Sequence, residues 1–329
     1  MSKLVTIYGG SGFVGRYVAR RMAKEGWRVR VAVRRPNEAI FVRPYGVVGQ
    51  VEPVFCNIRD DASVAAAMAG ADAVVNCVGI LNESGANTFE AVQHEGAGRI
   101  ARIAAAQSVA QMVHLSAIGA DPEAASEYGR TKAAGEAAVL EHFPSAVILR
   151  PSIIFGPEDG FFNRFAGMAR LGPILPVVSG GTLFQPVYVD DVAQAAVKGI
   201  KGEAAPGVYE LGGPEVLSFH KLMEQMLQVI HRRRVLLPLP HFVAAIIAFA
   251  FDCLQGVTMG LVSNGVLTRD QLKSLGRDNV VAPGARGLSE LGILPAALES
   301  VLPDYLWRFR PSGQYDAIKD SARNLRKIG

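Results

Sequence analysis

Three side chains in the middle of the sequence have the types and spacing for proton transfer. Ser116 follows a short apolar stretch, Tyr128 comes twelve residues later, and Lys132 lies four beyond that. Positions four apart share a helix face, which sets the Lys132 ammonium near Tyr128. A neighbouring positive charge favours tyrosinate, so the pKa of Tyr128 is expected to fall and the phenol to serve as acid or base. The Ser116 hydroxyl can hydrogen-bond a carbonyl oxygen. These are the parts needed for hydride transfer to or from a carbonyl, given a hydride carrier alongside.

The carrier site is expected at the N-terminus. The apolar run Lys3–Tyr8 reads as a buried strand and passes straight into Gly9-Gly10-Ser11-Gly12-Phe13-Val14-Gly15. An amphipathic helix then runs from about Gly12 to Lys24. Gly9 allows the tight turn, Gly12 lets the backbone approach a pyrophosphate, and Gly15 lets helix and strand pack closely. Free N–H groups at the helix N-terminus favour phosphate. Gly9, Ser11, Gly12, Phe13, Val14 and Gly15 are therefore read as the cradle of a dinucleotide.

The second strand, Arg28–Val33, ends in Arg34-Arg35-Pro36 and carries no acid there. A carboxylate would hold a ribose 2′-hydroxyl, whereas an arginine fork holds a 2′-phosphate, so NADP(H) is favoured over NAD. Arg16 is a further candidate for the phosphates. Asn57 and Ile58 follow the third strand, Val51–Cys56, and are expected at the adenine edge. The fourth strand, Ala73–Cys77, leads into Cys77, Val78 and Gly79, small residues past which a cofactor backbone fits.

Helices are expected over Ala62–Met68, Thr88–Gln107 and Glu127–Glu141, with strands at Gln111–Leu115 and Ala146–Leu149. Such alternation predicts an α/β fold with a doubly wound parallel sheet of Rossmann type, followed by a smaller, mostly helical C-terminal lobe. The expected organisation is a nucleotide-binding domain at 1–155, interleaved strands and a helical lobe at 156–306, and a basic tail at 307–329. In the second part Gln185–Val189 reads as a strand and Val192–Ile200 as a helix.

Of 329 residues half are hydrophobic and 19% charged, which argues against disorder. A net charge of only +4 does not favour nucleic-acid binding. Cys56, Cys77 and Cys253 form no CxxC pair and read as reduced, buried thiols; the six histidines show no ligand spacing, so no metal site is expected. No signal core or presequence is recognised, which suggests use where the protein is made. Phe242–Phe251 is an unbroken apolar run of ten residues. As a helix it would span ~15 Å against ~30 Å for a bilayer core, too short to cross. It reads either as a buried helix or, beside His231-Arg-Arg-Arg234 and Trp307-Arg-Phe-Arg310, as a helix on a membrane surface.

The glycine turn, Ser116 with Tyr128-Gly-Arg-Thr-Lys132, and Arg150-Pro-Ser-Ile-Ile-Phe-Gly156 resemble the extended or atypical branch of the short-chain dehydrogenase/reductase superfamily. That resemblance implies Tyr128 as proton donor, Lys132 as a ligand of the nicotinamide ribose, and Pro151 and Ile153 against the nicotinamide. Asn57 departs from the pattern, which often has Asp facing the adenine.

Further blocks are Tyr8–Val18, Arg43–Gln50, Phe155–Asp159 with Phe161 to Phe165, Gln185–Val192, Leu267–Leu272 and Gly287–Gly292. Through nearly the whole chain these resemble the NADPH-binding accessory subunits of respiratory complex I, NADH:ubiquinone oxidoreductase. The resemblance implies a bound, structurally used NADPH on the peripheral arm, near its junction with the membrane arm. The implied partners are other complex I subunits near the quinone site and a membrane surface or phospholipid headgroups. With no presequence recognised, the expected place is peripheral, on the cytoplasmic face of a bacterial inner membrane, or on the matrix side if the protein is mitochondrial. Two functions stand open: such a scaffold subunit, or a free-standing NADP-dependent reductase or epimerase using Ser116, Tyr128 and Lys132.

Overall fold

The computed structural model describes residues 2–240, 243–244 and 269–315. β1 (Leu4–Tyr8) is buried at every position because it is flanked on both edges and covered on both faces. Its neighbours are β2 (Arg28–Val33) and β4 (Ala73–Asn76), both parallel to it. β3 (Val51–Phe55) pairs with β2, β5 (Gln111–Leu115) with β4, and β6 (Val147–Pro151) with β5. The sheet order is β3-β2-β1-β4-β5-β6, with β11 (Gly207–Leu211) as a seventh parallel strand beside β6.

Side chains of a strand alternate between faces, and the two cores follow that rule. Val5 and Ile7 of β1 pack with α1 (Phe13–Lys24) and α6 (Val189–Lys201). Tyr8 and its neighbours pack on the other face with α2 (Asp61–Met68), α3 (Glu95–Ala106) and α4 (Glu127–His142). Arg21 grips Asp190 through Nε (2.7 Å) and Nη2 (2.5 Å), joining α1 to α6.

Two elements differ from the sequence expectation. The helix expected over Thr88–Gln107 opens with a π-helical turn, Glu90–His94, before α3. The strand expected over Gln185–Val189 becomes β9 (Leu183–Phe184) and β10 (Val187–Tyr188), two residues each. Neither enters the main sheet: β10 pairs with β7 (Ile154–Phe155) and β9 with β12 (Leu217–Ser218). Val189 already begins α6, so the apolar run was shared between two elements. The chain then returns to the main sheet through β11, so the sheet draws on residues well beyond 155.

The C-terminal lobe gathers α5 (Phe162–Leu171), β8 (Ile174–Val178), α7 (Phe219–Val229), β13 (Val235–Leu239) and the helix Leu298–Leu306 around one core. Phe162, Leu175, Met223 and Leu302 are fully buried there. Phe161, Phe165, Phe184 and Phe219 stack with ring centroids 5.3–6.3 Å apart. Among the described residues no helix is long and apolar enough to cross a membrane. The run Phe242–Phe251 lies outside the described residues except for Val243 and Ala244, as do Cys253 and the tail from 316 onward.

Candidate functional site

The turn between β1 and α1 is built as the glycine spacing requires. Gly9 has φ +73°, a conformation that L side chains rarely adopt. A Cβ on it would stand 3.2 Å from the main chain of Cys77 and Val78. A Cβ on Gly15 would collide with the Gly9 carbonyl oxygen and lie 2.7 Å from Gly10 Cα. Gly12 is the N-cap of α1, no side chain caps that end, and the first turn carries no acid. The helix therefore presents uncapped N–H groups, the arrangement that receives phosphate. Ser11 and Phe13 are half-buried, and Val14 is buried beneath them.

Arg34 and Arg35 emerge, both exposed, at the end of β2. Arg35 Nη1 pairs with Glu38 Oε1 at 3.0 Å. The carboxylate thus lies one turn beyond the strand end, where sequence reading did not place an acid. Both side chains of the pair are largely exposed, and such pairs contribute only ~0–1 kcal/mol. Arg16 bonds its own turn, donating to Ser11 O (3.0 Å) and Gly12 O (3.2 Å), and lies 3.4 Å from Glu158. Asn57 Oδ1 accepts from Arg59 N (3.2 Å), so its side chain orders a local turn. Ile58 is half-buried under α3, next to Gly96. Burial pushes the Cys77 thiol up to about 12 and that of Cys56 to about 11, so both stay protonated.

Ser116 sits just past β5, buried, its N–H donating to Leu149 O (2.7 Å) and its Oγ without a partner. Tyr128 and Lys132 share the inner face of α4, with Lys132 Nζ 5.9 Å from the Tyr128 ring centroid. Lys132 is buried, donates to Leu115 O (3.2 Å), and lies where a Cβ on Gly79 would be 3.4 Å from Nζ. Burial pulls Lys132 down to about 8, against the opposing pull of Glu136.

Tyr128 corrects an expectation. Burial pushes its hydroxyl up to about 12, opposite to the direction expected from the neighbouring ammonium. The cost of burying a phenolate dominates, and the ammonium addresses the ring and the Leu115 carbonyl.

Several positioning residues were not legible as such. His114, two residues before Ser116, accepts at Nδ1 from Asn76 Nδ2 (3.1 Å). Nε2 then carries the proton, and it is buried without a partner. Burial, helped by the Lys132 charge, pulls His114 down to about 3, so it is neutral. Asn279 pins the Pro151–Ile153 stretch: Oδ1 accepts from Ser152 Oγ (2.7 Å) and Ile153 N (3.1 Å), and Nδ2 donates to Ile118 O (3.3 Å). Glu136 of α4 receives Arg150 of β6 at 2.9 and 2.6 Å, with Glu210 of β11 3.6 Å away. Asp159 is buried and accepts from Gly156 N, Phe161 N, Asn163 N and, at 2.6 Å, Tyr305 Oη. The signal for these was at most a polar residue in an apolar context, with no local clue to its partner.

A glycine-lined turn on an uncapped helix, at the carboxyl ends of a parallel sheet where the strand order reverses, defines a dinucleotide-binding protein of the extended short-chain dehydrogenase/reductase type. Near that end of the sheet Ser116 Oγ has no partner among the described residues, and the Lys132 ammonium stands beside Gly79. The chain belongs to the NAD dependent epimerase/dehydratase family, whose match covers residues 5–212. It is 34% identical, over 94% of its own length and 79% of the relative's, to "NADH dehydrogenase (ubiquinone) 1 alpha subcomplex subunit 9, mitochondrial" of Arabidopsis thaliana. It is 33% identical to "Ceramide reductase" of Caulobacter vibrioides, over 59% of this chain and 60% of that one. In fold it is similar to the Bordetella bronchiseptica enzyme WbmH in complex with NAD+, with TM-score 0.67 and 16% identity over 95% of this chain and all of the other.

Proposed function

We propose that this protein is an accessory subunit of a respiratory NADH:ubiquinone oxidoreductase, holding NADPH as a structural group near the junction of the peripheral and membrane arms. The observation that carries this is the reach of the likeness. The general family match ends at residue 212, whereas the likeness to the subunit spans 94% of the chain and so takes in the C-terminal lobe. Other complex I subunits near the quinone site are its partners, and a peripheral position on the cytoplasmic face of a bacterial inner membrane fits this role. The test is a native gel of detergent-solubilised membranes: the protein should co-migrate with NADH dehydrogenase activity. Migration only as a small free species overturns the proposal.

NADPH rather than NADH is supported by the missing carboxylate at the end of β2 and by Arg34, which makes no hydrogen bond or ion pair among the described residues. Replacing Arg34 and Arg35 together by Ala is expected to weaken NADPH by about 100-fold, at roughly 1.5 kcal/mol or more per charge-assisted contact, and to leave NADH nearly unchanged. Calorimetric titration with both nucleotides checks it; equal losses would refute the 2′-phosphate role.

Lys132 is the residue of this chain that would hold the nicotinamide ribose, and it gives that binding a pH dependence. Its folded pKa, about 8, is below the ordinary 10.5. Above pH 8 the folded protein releases a proton that the unfolded chain keeps until about 10.5, so stability from this group rises with pH across that window. The hydrogen bond from the ammonium to a ribose hydroxyl is lost over the same range. NADH affinity, free of the titrating 2′-phosphate, should therefore fall as pH rises through about 8, and Lys132→Met should flatten the profile. A profile unchanged by that substitution removes Lys132 from the site.

The free-standing reductase remains a second reading, favoured by the intact Ser116, Tyr128 and Lys132 set and by the likeness to the Caulobacter protein. It requires a carbonyl turnover that Tyr128→Phe abolishes while nucleotide binding persists.

A further inference from the structure

One block of the sequence, Leu267–Leu272, is used neither by the glycine turn nor by the Tyr128–Lys132 face. Its described residues open the short helix Arg269–Leu275, which lies against α4. Asp270 accepts from two main-chain N–H groups of the first turn of α4, Glu127 N at 2.7 Å and Tyr128 N at 3.1 Å. Ser126 Oγ takes Gly129 N at 3.2 Å. The N-terminus of α4 is thus closed by a carboxylate from 142 residues away, whereas that of α1 stays open. Gln271, the next residue, donates through Nε2 to Asn82 Oδ1 at 3.0 Å, on the loop after β4.

The chain then crosses the carboxyl ends of the sheet. Arg277 Nη1 meets Asp121 Oδ2 at 3.2 Å, in the loop after β5. Asp278 Oδ1 accepts from Leu183 N at 2.8 Å. Asn279 binds Ile118 O, Ser152 Oγ and Ile153 N through its side chain, and its own N–H donates to Leu183 O at 2.8 Å. Residues 270–279 therefore tie together the loops after β4, β5 and β6 and the start of α4. Gly79, Tyr128, Pro151 and Ile153, the residues expected near a nicotinamide riboside, belong to those same pieces. The two ends of the segment are held differently. Asn279 is fixed through main chain and side chain together. Toward Asp270 the buried apolar side chain is Leu272, whose small cluster with Val178, Leu239 and Ala244 stands apart from the main cores among the described residues. Lys273 and Ser274 are exposed. Few buried apolar contacts and solvent-facing hydrogen bonds mark a segment that opens at low cost.

We propose that residues 270–279 form a latch over the nicotinamide half of the nucleotide site, hinged at Asn279 and fastened by Asp270 and Gln271, which keeps a bound dinucleotide from exchanging. Ligands of an open parallel sheet bind at the carboxyl ends of its strands, and the segment spans those ends. A cosubstrate must leave after every turnover, whereas a resident group must stay. A fastened latch slows entry and release alike, so it sets the rate of exchange more than the affinity. Asp270 is a positioning residue that acts through the main chain of Glu127 and Tyr128. This latch presupposes the proposed NADPH site and supplies its means of retention.

The test is the exchange of NADPH on the full chain, followed by its fluorescence after mixing and after a chase with excess NADP+. Asp270→Ala is expected to speed dissociation by about 100-fold, roughly tenfold for each charge-assisted bond removed. Association should quicken by a similar factor, so that Kd changes little. Gln271→Ala leaves the Asp270 bonds to α4 in place and should raise both rates by about fivefold. In that variant the Glu127 and Tyr128 amides should also exchange hydrogen faster, although Asp270 is untouched, because the fastening opens as one piece. Gln271→Ala carries the test if Asp270→Ala does not fold. Unchanged rates in Gln271→Ala overturn the latch while leaving the nucleotide site standing. Faster release with unchanged association also overturns it, since Asp270 would then only stiffen the bound state. A wild-type protein that binds no dinucleotide overturns the site and the latch together. Co-migration with NADH dehydrogenase activity does not depend on any of these results.

Discussion

A Gly15→Val protein is expected to lose dinucleotide binding by a factor on the order of 100 to 1000 and to lose about 1–3 kcal/mol of stability. The added Cβ falls on the Gly9 carbonyl oxygen and within 2.7 Å of Gly10 Cα, both backbone atoms of the same turn. Neither can yield by changing rotamer, so the turn must move away from α1. Gly9 cannot follow freely, because its φ is +73° and its N–H donates to Ala32 O of β2 at 3.0 Å. The N–H groups that would receive the phosphates move with the turn, and each charge-assisted bond lost costs roughly 1.5–3 kcal/mol. Gly181→Ala is the control, since a Cβ there meets nothing within 4 Å. Thermal unfolding and calorimetric titration of NADPH read the two effects. If Gly15→Val bound normally, the turn would not be the phosphate cradle.

The second large effect is expected at Arg150. Arg150→Met should destabilise the protein by roughly 3–5 kcal/mol, because it strips the partner from a carboxylate withdrawn from water. The Glu136 side chain is only 6% exposed, and Arg150 meets both its oxygens. Glu210, 3.6 Å from Arg150 on β11, would lose the same cation. The three residues lie on α4, β6 and β11, so the pair also holds the helix that presents Tyr128 and Lys132 against the strand that leads to Pro151. Adding Glu136→Gln to Arg150→Met should recover part of the loss, since a neutral amide costs less to bury than a carboxylate. Denaturant unfolding of the two variants measures it. A loss below about 1 kcal/mol would show the pair to act as an ordinary solvated one.

Much of the fold was legible because its signals are local. The glycine spacing at 9, 12 and 15, the Arg pair after β2, and the four-residue step from Tyr128 to Lys132 each depend on a handful of consecutive positions. Six of the seven sheet strands could be read from apolar runs set between helical patterns. The seventh, β11, could not be assigned to the sheet, because its partner Val147–Pro151 lies sixty residues earlier in register. Gln185–Val189 misled for a related reason: the apolar content marked burial, and only packing decided that it be divided among β9, β10 and α6.

The sequence by itself determined a doubly wound sheet, a glycine turn between its first strand and helix, arginines rather than a carboxylate at the end of β2, and one helix face bearing Tyr128 and Lys132. Chain-long likeness added the class of assembly. The tertiary structure decided which charges survive burial: Tyr128 moves up and Lys132 down, because solvent lost on packing outweighs the single neighbour that spacing could supply. It decided that Asn279 pins Ile153 across 126 residues and that Tyr305 reaches Asp159 across 146. Spacing along a chain fixes what shares a turn or a face; desolvation and long-range partners exist only once the faces have met.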